Sequence, residues 1–292
     1  MFKHNRQKFA LLFCALLLIA SFNAFYKPLT ASAMPFYQLK PQELTLRSEF
    51  YTSYPQSSDE RKSNIKLATK TINGYFLDVG AEFSFNRVVG ARTTARGYKN
   101  AKIIVGGKFV DGVGGGVCQV STTLYNAVIL AGLKVEEYHP HSLPVSYVAP
   151  SFDAMVNSGS ADLRFTNDTY NPIIIYATAT DSTVKISIFG QPMKEKYYRV
   201  SKINEYLEPP ESEVLIDQKG EYPDLYDGEK KVLAYGKQGL KSEGCLIKKI
   251  GGKTIKVIKL RSDTYNAVRG TIVVGTTPRP ENLVGEQSGL TY

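Results

Sequence analysis

A run of three glycines, Gly114 to Gly116, directly precedes the most regular apolar segment of the 292-residue chain. Glycine adopts backbone conformations that are closed to other residues, so this run predicts a tight turn with exposed N–H groups. In Val117–Leu133 the apolar residues recur at helical spacing, and Gly132 provides a stop. We therefore predict a glycine turn that leads directly into a helix.

Cys118 lies in the first turn of this predicted helix, where unpaired N–H groups and the positive end of the helix dipole favour a thiolate. The chain has three histidines, and His4 belongs to a basic N-terminal segment, which leaves His139 and His141. If their segment is extended, residues two apart point to the same side. We predict that Cys118 is a nucleophile and that one histidine is its base, while the other binds substrate or orients the pair. The sequence leaves those two roles open.

Other interpretations of these residues stay open. A lone helical cysteine is most often a small buried hydrophobic residue. Cys118, His139 and His141 could instead hold zinc, as in a zinc-dependent hydrolase, but neither a carboxylate nor a second cysteine stands at tight ligand spacing around them. We therefore expect no metal and no cofactor. Ser121 is a weaker candidate nucleophile, because the G-x-S-x-G frame is missing.

The first 33 residues have the pattern of a secretory signal peptide. Basic residues precede an apolar run from Phe9 to Phe22, and Ala31-Ser32-Ala33 has the form of a signal peptidase site. We expect an exported protein at the extracellular face of the membrane or in the cell wall. An uncleaved leader would act as a transient membrane anchor, although the run is shorter than the ~20 residues that span a bilayer.

The formal net charge of +9 favours anionic surroundings, which outside a cell include anionic wall polymers. The chain has neither a basic helix nor an aromatic RNA-binding motif, so nucleic acid is not an expected partner. Beyond the leader only Cys118 and Cys245 remain, in segments that we predict to be different domains. A disulfide between them is not favoured, because exported proteins stabilised by disulfides usually carry more of them.

The pattern along the chain predicts an α+β domain followed by a small all-β domain. The first contains a helix over 61–72, a hairpin of 172–177 with 183–189, and shorter strands that include 144–148. The second contains strands at 253–260 and 270–275. The predicted boundaries are 1–33 for the signal peptide, 34–60 for an N-terminal arm, 61–190 for the α+β domain, 191–211 for a linker, 212–278 for the all-β domain and 279–292 for a tail.

The α+β segment closely resembles the VanW domain, a bacterial extracellular family named from vancomycin-resistance gene clusters. The most specific element is the glycine-cysteine-glutamine stretch that begins at Gly114. The other motifs that carry the resemblance are Gly80-Ala81-Glu82-Phe83-Ser84-Phe85-Asn86, Val89-Gly90-Ala91-Arg92-Thr93, Arg96-Gly97-Tyr98, His139-Pro140-His141-Ser142, Asp153-Ala154 and Asp162-Leu163-Arg164-Phe165. Residues 212 to 275 more loosely resemble the G5 module, a β-domain often attached to wall enzymes and thought to bind wall glycans.

The VanW resemblance implies a cysteine-dependent L,D-transpeptidase that forms 3-3 cross-links between peptidoglycan stem peptides. Peptidoglycan stem peptides and glycan are then the expected partners. Under this hypothesis the catalytic residues are Cys118 with His139 or His141, and N–H groups of the turn hold the oxyanion. The implied site residues are Gly115, Gly116 and Val117 for the oxyanion, Arg92, Arg96, Gln119 and Tyr125 for substrate binding, and Asp153 or Asp162 for orienting a histidine.

Two further functions remain in competition with transpeptidation. Resolution of the same acyl-enzyme by water would make the protein an L,D-carboxypeptidase. A noncatalytic wall-binding protein would instead use both domains to hold glycan or stem peptide. Retention of Cys118 together with both histidines argues against the binding protein.

Overall fold

The computed structural model describes residues 44–280, which fall within one compact unit. Of these residues 15% are helical and 44% lie in strands, so the molecule is mostly β with few helices. All the described α-helices precede residue 131. The predicted signal peptide, residues 34–43 of the predicted arm and residues 281–292 of the predicted tail lie outside the described residues.

Three α-helices occur in the described part of the chain, α1 (Asp59–Ile72), α2 (Phe85–Val89) and α3 (Val117–Leu130), together with a 3-10 helix at Thr94–Arg96. Helix α1 begins where the Ser58 side chain accepts a hydrogen bond from the Arg61 N–H. Helix α3 carries no charged residue and is buried on nearly every face. It ends just before Gly132, whose φ of 74° only glycine adopts readily, as the sequence predicts. Within residues 44–280, no helix combines the length and the apolar character needed to cross a bilayer.

The main sheet is antiparallel and has the order β1-β9-β8-β2. Its strands are β1 (Thr45–Ser53), β2 (Tyr75–Leu77), β8 (Ile173–Ala179) and β9 (Thr183–Gly190). The predicted hairpin is present as β8 and β9. Strand β1 lies inside the segment that we predicted to be an N-terminal arm, and it pairs with β9. Helices α1 and α3 pack against this sheet and form the core with it.

Two smaller sheets flank the glycine turn and the histidine segment. One has the order β3-β7-β6, from β3 (Glu82–Ser84), β6 (Lys134–Glu137) and β7 (Arg164–Thr166). The other is the hairpin of β4 (Asn100–Val105) and β5 (Lys108–Val113). Residues 138–163 contain no strand, so the strand predicted at 144–148 is wrong. Pro140, Pro144 and Pro150 lack the N–H groups that a sheet ladder needs.

The C-terminal part is built from strands alone. They are β10 (Glu195–Leu207), β11 (Glu213–Ile216), β12 (Lys230–Ala234), β13 (Gly239–Ile250), β14 (Lys253–Tyr265) and β15 (Thr271–Val274). They form the sheets β10-β13-β14 and β11-β15-β12. The segment predicted to be a linker, 191–211, contains the 13-residue strand β10, because its prolines stand outside the strand rather than within it.

Strand β10 packs directly against the core helix α3. The guanidinium of Arg199 donates to Asn126 Oδ1 at 2.5 Å and lies 4.1 Å from the ring centre of Phe50 and 4.9 Å from that of Phe152. Burial lowers the pKa of Arg199 to about 10. The sheet β10-β13-β14 is thus held against the same core that carries Cys118.

Candidate active site

The glycine turn places Cys118 at the start of α3 through close backbone contacts. Gly116 is the N-cap with a φ of 104°, and a Cβ on Gly115 would lie 2.7 Å from the carbonyl oxygen of Lys102. The buried Asn64 side chain donates from Nδ2 to the carbonyl oxygen of Gly115 at 3.0 Å. These contacts explain why glycine is required here and why the turn is rigid.

Cys118 and His141 line the same cleft, and each side chain shifts the pKa of the other. Burial alone would raise the pKa of Cys118, but the hydrogen bond and charge of His141, with the charge of Arg92, outweigh it and lower this pKa. Burial alone would lower the pKa of His141, but hydrogen bonds to Asp153 and Cys118 raise it to about 9. Both shifts favour a thiolate–imidazolium pair. The Cys118 Sγ also lies 3.3 Å from the carbonyl oxygen of Val156.

Asp153 holds the far side of the His141 ring. Its Oδ2 accepts hydrogen bonds from His141 Nδ1 at 2.7 Å and from the His141 backbone N–H at 2.6 Å. Both side chains are buried, with exposures of 6% and 1%. Burial would raise the pKa of Asp153, but His141, Arg261 and Tyr265 together lower it. The carboxylate therefore stays ionised and directs the other ring nitrogen of His141 toward Cys118.

Buried polar side chains of α3 position the segment that carries Asp153. The hydroxyl of Ser121 donates to the Ala154 carbonyl oxygen at 2.6 Å, and the Ala154 N–H donates to Thr122 Oγ1 at 3.0 Å. Asn126 Nδ2 donates to the Phe152 carbonyl oxygen at 2.7 Å. Ser121 is therefore a positioning residue here, so it is not available as the nucleophile. Cys118 lies on α3, and the segment that carries Asp153 is hydrogen-bonded to the same helix.

Two of the predicted residues lie away from this centre. His139 Nε2 lies 2.9 Å from Glu137 Oε1, and its ring is not next to Cys118. Asp162 accepts hydrogen bonds from Ser84 Oγ at 2.5 Å and from the backbone N–H of Asn86, so it caps a turn and does not contact a histidine. The expectation that both histidines share one pocket fails because Pro140 lies in a loop and not in a strand. Among residues 44–280 no group of three or more His, Cys, Asp or Glu is placed to hold a metal ion.

An open cleft of about 950 Å³ contains Cys118 and His141. Its basic side chains are Arg61, Arg92, Lys102 and Lys237, and none of its described lining residues is Asp or Glu. Arg92 Nη1 donates to Asn86 Oδ1 at 2.8 Å and to the Gly90 carbonyl oxygen, so both of these acceptors are neutral. Lys102 pairs with Asp111 at 3.0 Å, whereas the acceptors of Arg61 and Arg92 are neutral. These two guanidinium groups make the cleft electropositive beside the thiol, so it suits a ligand that carries carboxylates.

Three predicted substrate contacts differ in the structure. Arg96 is exposed and donates to the Ala91 carbonyl oxygen at 3.2 Å, outside the cleft. Gln119 lines the cleft, but its amide is engaged with Thr52, the Ser53 carbonyl oxygen and Arg61. Tyr125 is 1% exposed in the core. It lies on the same face of α3 as Cys118 but two turns further along, where it packs in the core and not in the cleft.

The N–H groups of the turn differ in their availability for an oxyanion. The Val117 N–H donates to the Gly114 carbonyl oxygen at 3.1 Å, so it is already used. The Cys118 N–H has no acceptor among the described residues, as expected in a first helical turn. The Val117 N–H is therefore less available for an oxyanion than the Cys118 N–H.

Two residues that line the cleft, Arg61 and Tyr147, were not predicted from the sequence. Arg61 of α1 donates from Nη2 to Gln119 Oε1 at 2.8 Å and faces the cleft, although its helix has the composition of a solvated surface. Tyr147 also lines the cleft, and burial together with the charge of Cys118 raises its pKa. Neither residue is marked by a motif, because each reaches the cleft through tertiary packing.

Residues 60–189 match the family model described as "VanW like protein". Over these residues the chain is similar to the VanW family. Among curated proteins, "Uncharacterized protein YoaR" of Bacillus subtilis is 43% identical over 142 residues, which cover 49% of this chain and 47% of that protein. "Vancomycin B-type resistance protein VanW" of Enterococcus faecalis is 29% identical over 143 residues, which cover 47% of this chain and 52% of that protein. The chain thus spans about half the length of the curated relatives it matches.

Solved structures similar to this chain include two G5 domains. "IgA1 Protease G5 domain structure" covers 30% of this chain and 99% of its own, at 20% identity and a TM-score of 0.19. "Crystal structure of HP0197-G5" covers 28% of this chain and 95% of its own, at 22% identity and a TM-score of 0.16. With TM-scores this low, neither similarity supports a conclusion about the fold of this chain.

Proposed function

We propose that this protein is a cysteine acyltransferase of the L,D-transpeptidase type, which forms 3-3 cross-links between peptidoglycan stem peptides. The observation that carries the proposal is the buried relay of Cys118, His141 and Asp153 at the wall of an electropositive cleft. A relative named for vancomycin resistance supports a cell-wall role. Stem peptides carry free carboxylates, which Arg61 and Arg92 are placed to receive.

In the first half-reaction the Cys118 thiolate attacks the carbonyl carbon between the third residue of a stem tetrapeptide and its terminal D-alanine. The oxyanion that forms is held by the Cys118 N–H at the positive end of α3. When the C–N bond breaks, protonated His141 gives its proton to the departing amine. The products are free D-alanine and a thioester on Cys118.

In the second half-reaction the side-chain amine of a neighbouring stem attacks the thioester carbonyl. His141, now neutral, takes a proton from this amine, and the C–S bond breaks to restore the thiolate. Asp153 stabilises the imidazolium each time it forms. If water takes the place of the amine, the same steps make an L,D-carboxypeptidase.

The wider arrangement belongs to the same proposal. We infer an α+β catalytic part that extends to residue 190 and includes β1, and a G5-like all-β part that contains β10 to β15 and contacts wall glycan. An exported location follows from the proposed substrate and the leader pattern. The excess of basic residues would hold the protein near anionic wall polymers, with an uncleaved leader as a transient anchor.

The test incubates the protein with disaccharide-tetrapeptide muropeptides and follows the products by mass spectrometry. We expect a dimer that lacks one alanine from the parent protein and from Cys245→Ala, and none from Cys118→Ala. Cys245 is the matched control, since it is the other free thiol among the described residues and lies on β13 outside the cleft. Loss of alanine without dimers would indicate the carboxypeptidase. Binding of muropeptide without any product, equal in parent and Cys118→Ala, would indicate the wall-binding protein and overturn the proposal.

A further inference from the structure

The orienting carboxylate of Asp153 is held from the C-terminal sheet as well as from α3. Its Oδ1 accepts a hydrogen bond from the Tyr265 hydroxyl at 2.6 Å and one from Arg261 Nη2 at 3.1 Å. Arg261 Nη1 also donates to the Asp153 carbonyl oxygen at 2.6 Å. Arg261 and Tyr265 both belong to strand β14, more than 100 residues away in sequence.

These two side chains are themselves fixed. Arg261 is 4% exposed, donates from Nε to Asp263 Oδ2 at 2.6 Å, and lies 4.6 Å from the ring centre of Tyr138. Tyr265 is 1% exposed, and its oxygen accepts the N–H of Ser151 at 2.7 Å. Neither residue lines the cleft, so neither can contact a bound substrate there.

The two oxygens of the Asp153 carboxylate accept hydrogen bonds from different parts of the chain. Oδ1 receives its donors from β14, and Oδ2 receives its donors from His141. This division fixes the plane of the carboxylate and so the plane of the imidazole. The donors on Oδ1 also stabilise the ionised form of a buried acid, which would otherwise take up a proton.

We propose that Arg261 and Tyr265 are positioning residues of the Cys118 centre, so that the C-terminal sheet completes the active site. The proposal rests on the proposed function in that it assigns His141 and Asp153 to the activation of Cys118. Without the Tyr265 hydroxyl, Oδ1 of Asp153 keeps only the hydrogen bond from Arg261 at 3.1 Å, so the carboxylate is held less firmly and is less stable in its ionised form. Its hold on the His141 imidazolium then weakens, and the thiolate loses its counter-ion.

The experiment measures alkylation of Cys118 by iodoacetamide as a function of pH, with the modified peptide quantified by mass spectrometry. The variants of the full chain are Tyr265→Phe, which removes one hydroxyl, and Arg261→Lys, which keeps the charge and loses the planar fork. Tyr235→Phe is the control, since Tyr235 is 81% exposed. The charged or titratable groups around Cys118, which are His141, Arg61, Arg92 and Tyr147, are the same in all variants.

For Tyr265→Phe and Arg261→Lys we expect the pH midpoint of alkylation to rise by about one unit and the rate at neutral pH to fall about tenfold. Tyr235→Phe should match the parent. An unchanged midpoint in folded Tyr265→Phe would overturn the proposal. A lower midpoint would also overturn it, because Arg261 and Tyr265 would then compete with His141 for the carboxylate. Near-ultraviolet circular dichroism checks the fold. The assay needs no muropeptide, so its result is independent of whether transpeptidation occurs.

Discussion

At the scale of single residues, His139 and His141 have different surroundings, although the sequence alone does not distinguish their roles. His141 is buried between Asp153 and Cys118, whereas His139 is about one third exposed and pairs with Glu137. Only His141 has the geometry of a base whose ring is oriented by an acid on one side and directed at a thiol on the other.

Replacement of the two histidines should therefore have unequal effects. We expect His141→Ala to lower the rate of any Cys118-dependent reaction by about 10²–10⁴-fold, because the proton carrier is lost. His139→Ala should leave this rate within about twofold. The measurement is the rate of muropeptide turnover, with Cys118 alkylation as a second readout. Equal losses in both variants would contradict the assignment of the base.

The coupled pKa values also predict how stability depends on pH. Protonated His141 has a pKa raised from 6.5 to about 9, so its stabilisation is present below about pH 6.5 and lost as the pH rises through about 9. The pKa of Cys118 is lowered from 9.0, so its contribution is present above pH 9 and lost as the pH falls through its folded value. Between pH 6.5 and 9 the two contributions have opposite slopes and offset each other.

Removal of the Cys118 thiol should reveal how His141 alone makes the free energy of unfolding depend on pH. In Cys118→Ala only Asp153 still raises the pKa of His141, so we expect the free energy of unfolding to fall by about 1 kcal/mol between pH 6.5 and 9, whereas in the parent the opposite slope of Cys118 acts against this fall. Urea denaturation at several pH values measures both. Parallel curves for the two proteins would show that Cys118 and His141 are not coupled.

At the scale of elements, the glycine turn decides where α3 begins. The turn lies against the backbone of β4, since a Cβ on Gly115 would come within 2.7 Å of the Lys102 carbonyl oxygen and 2.8 Å of the Ala101 carbonyl carbon. Such distances require the turn or the strand to move, and Cys118 moves with the turn.

We expect Gly115→Ala to destabilise the fold by about 1–3 kcal/mol, because backbone atoms offer no side-chain relaxation. It should also slow Cys118 alkylation at neutral pH, since the thiol is displaced from His141. Gly159→Ala is the control, as nothing lies within 4 Å of a Cβ at Gly159, and we expect a change below about 0.5 kcal/mol. Urea denaturation gives the free energy of unfolding of both variants. Similar losses in Gly115→Ala and Gly159→Ala would contradict the close contact between the turn and the backbone of β4.

At the scale of the whole molecule, the C-terminal sheet β10-β13-β14 and the α3 core share buried contacts. Arg199 of β10 lies between Phe50 and Phe152 and donates to Asn126. Ser242 of β13 lies 2.7 Å from the Ser151 hydroxyl, next to the segment that carries Asp153. We therefore expect residues 44–280 to unfold as one cooperative unit.

Loss of the Arg199 contacts should weaken the whole unit. We expect Arg199→Ala to lower the free energy of unfolding by about 2 kcal/mol through the lost ring contacts and hydrogen bond. Arg199→Met should recover part of this, because it keeps an apolar stem and avoids a buried charge. The measurement is urea denaturation followed by tyrosine fluorescence, with hydrogen exchange in both halves. Two separate transitions in the parent would contradict a single unit.

Features that depend on local backbone conformation and residue chemistry could be predicted from the amino-acid sequence. The glycine turn, helix α3 with its stop at Gly132, and the β8–β9 hairpin follow from local periodicity and turn residues. The residue types also indicated Cys118, His139 and His141 as candidates, and the VanW resemblance added Asp153 or Asp162. In each case the information lies within a few residues of the feature, so no knowledge of distant contacts is needed.

The contacts between the candidate site residues, and the side chains that position them, depend on the tertiary fold and could not be predicted from the sequence. It brought His141 and not His139 to Cys118, because a loop with three prolines replaced the predicted strand. It directed Arg61 into the cleft and Tyr125 into the core, and it made β10 part of a sheet where a linker was predicted. The contacts of Arg261 and Tyr265 with Asp153 join residues more than 100 positions apart. Such contacts leave no local pattern, because they arise from the packing of one sheet against a loop that another element positions.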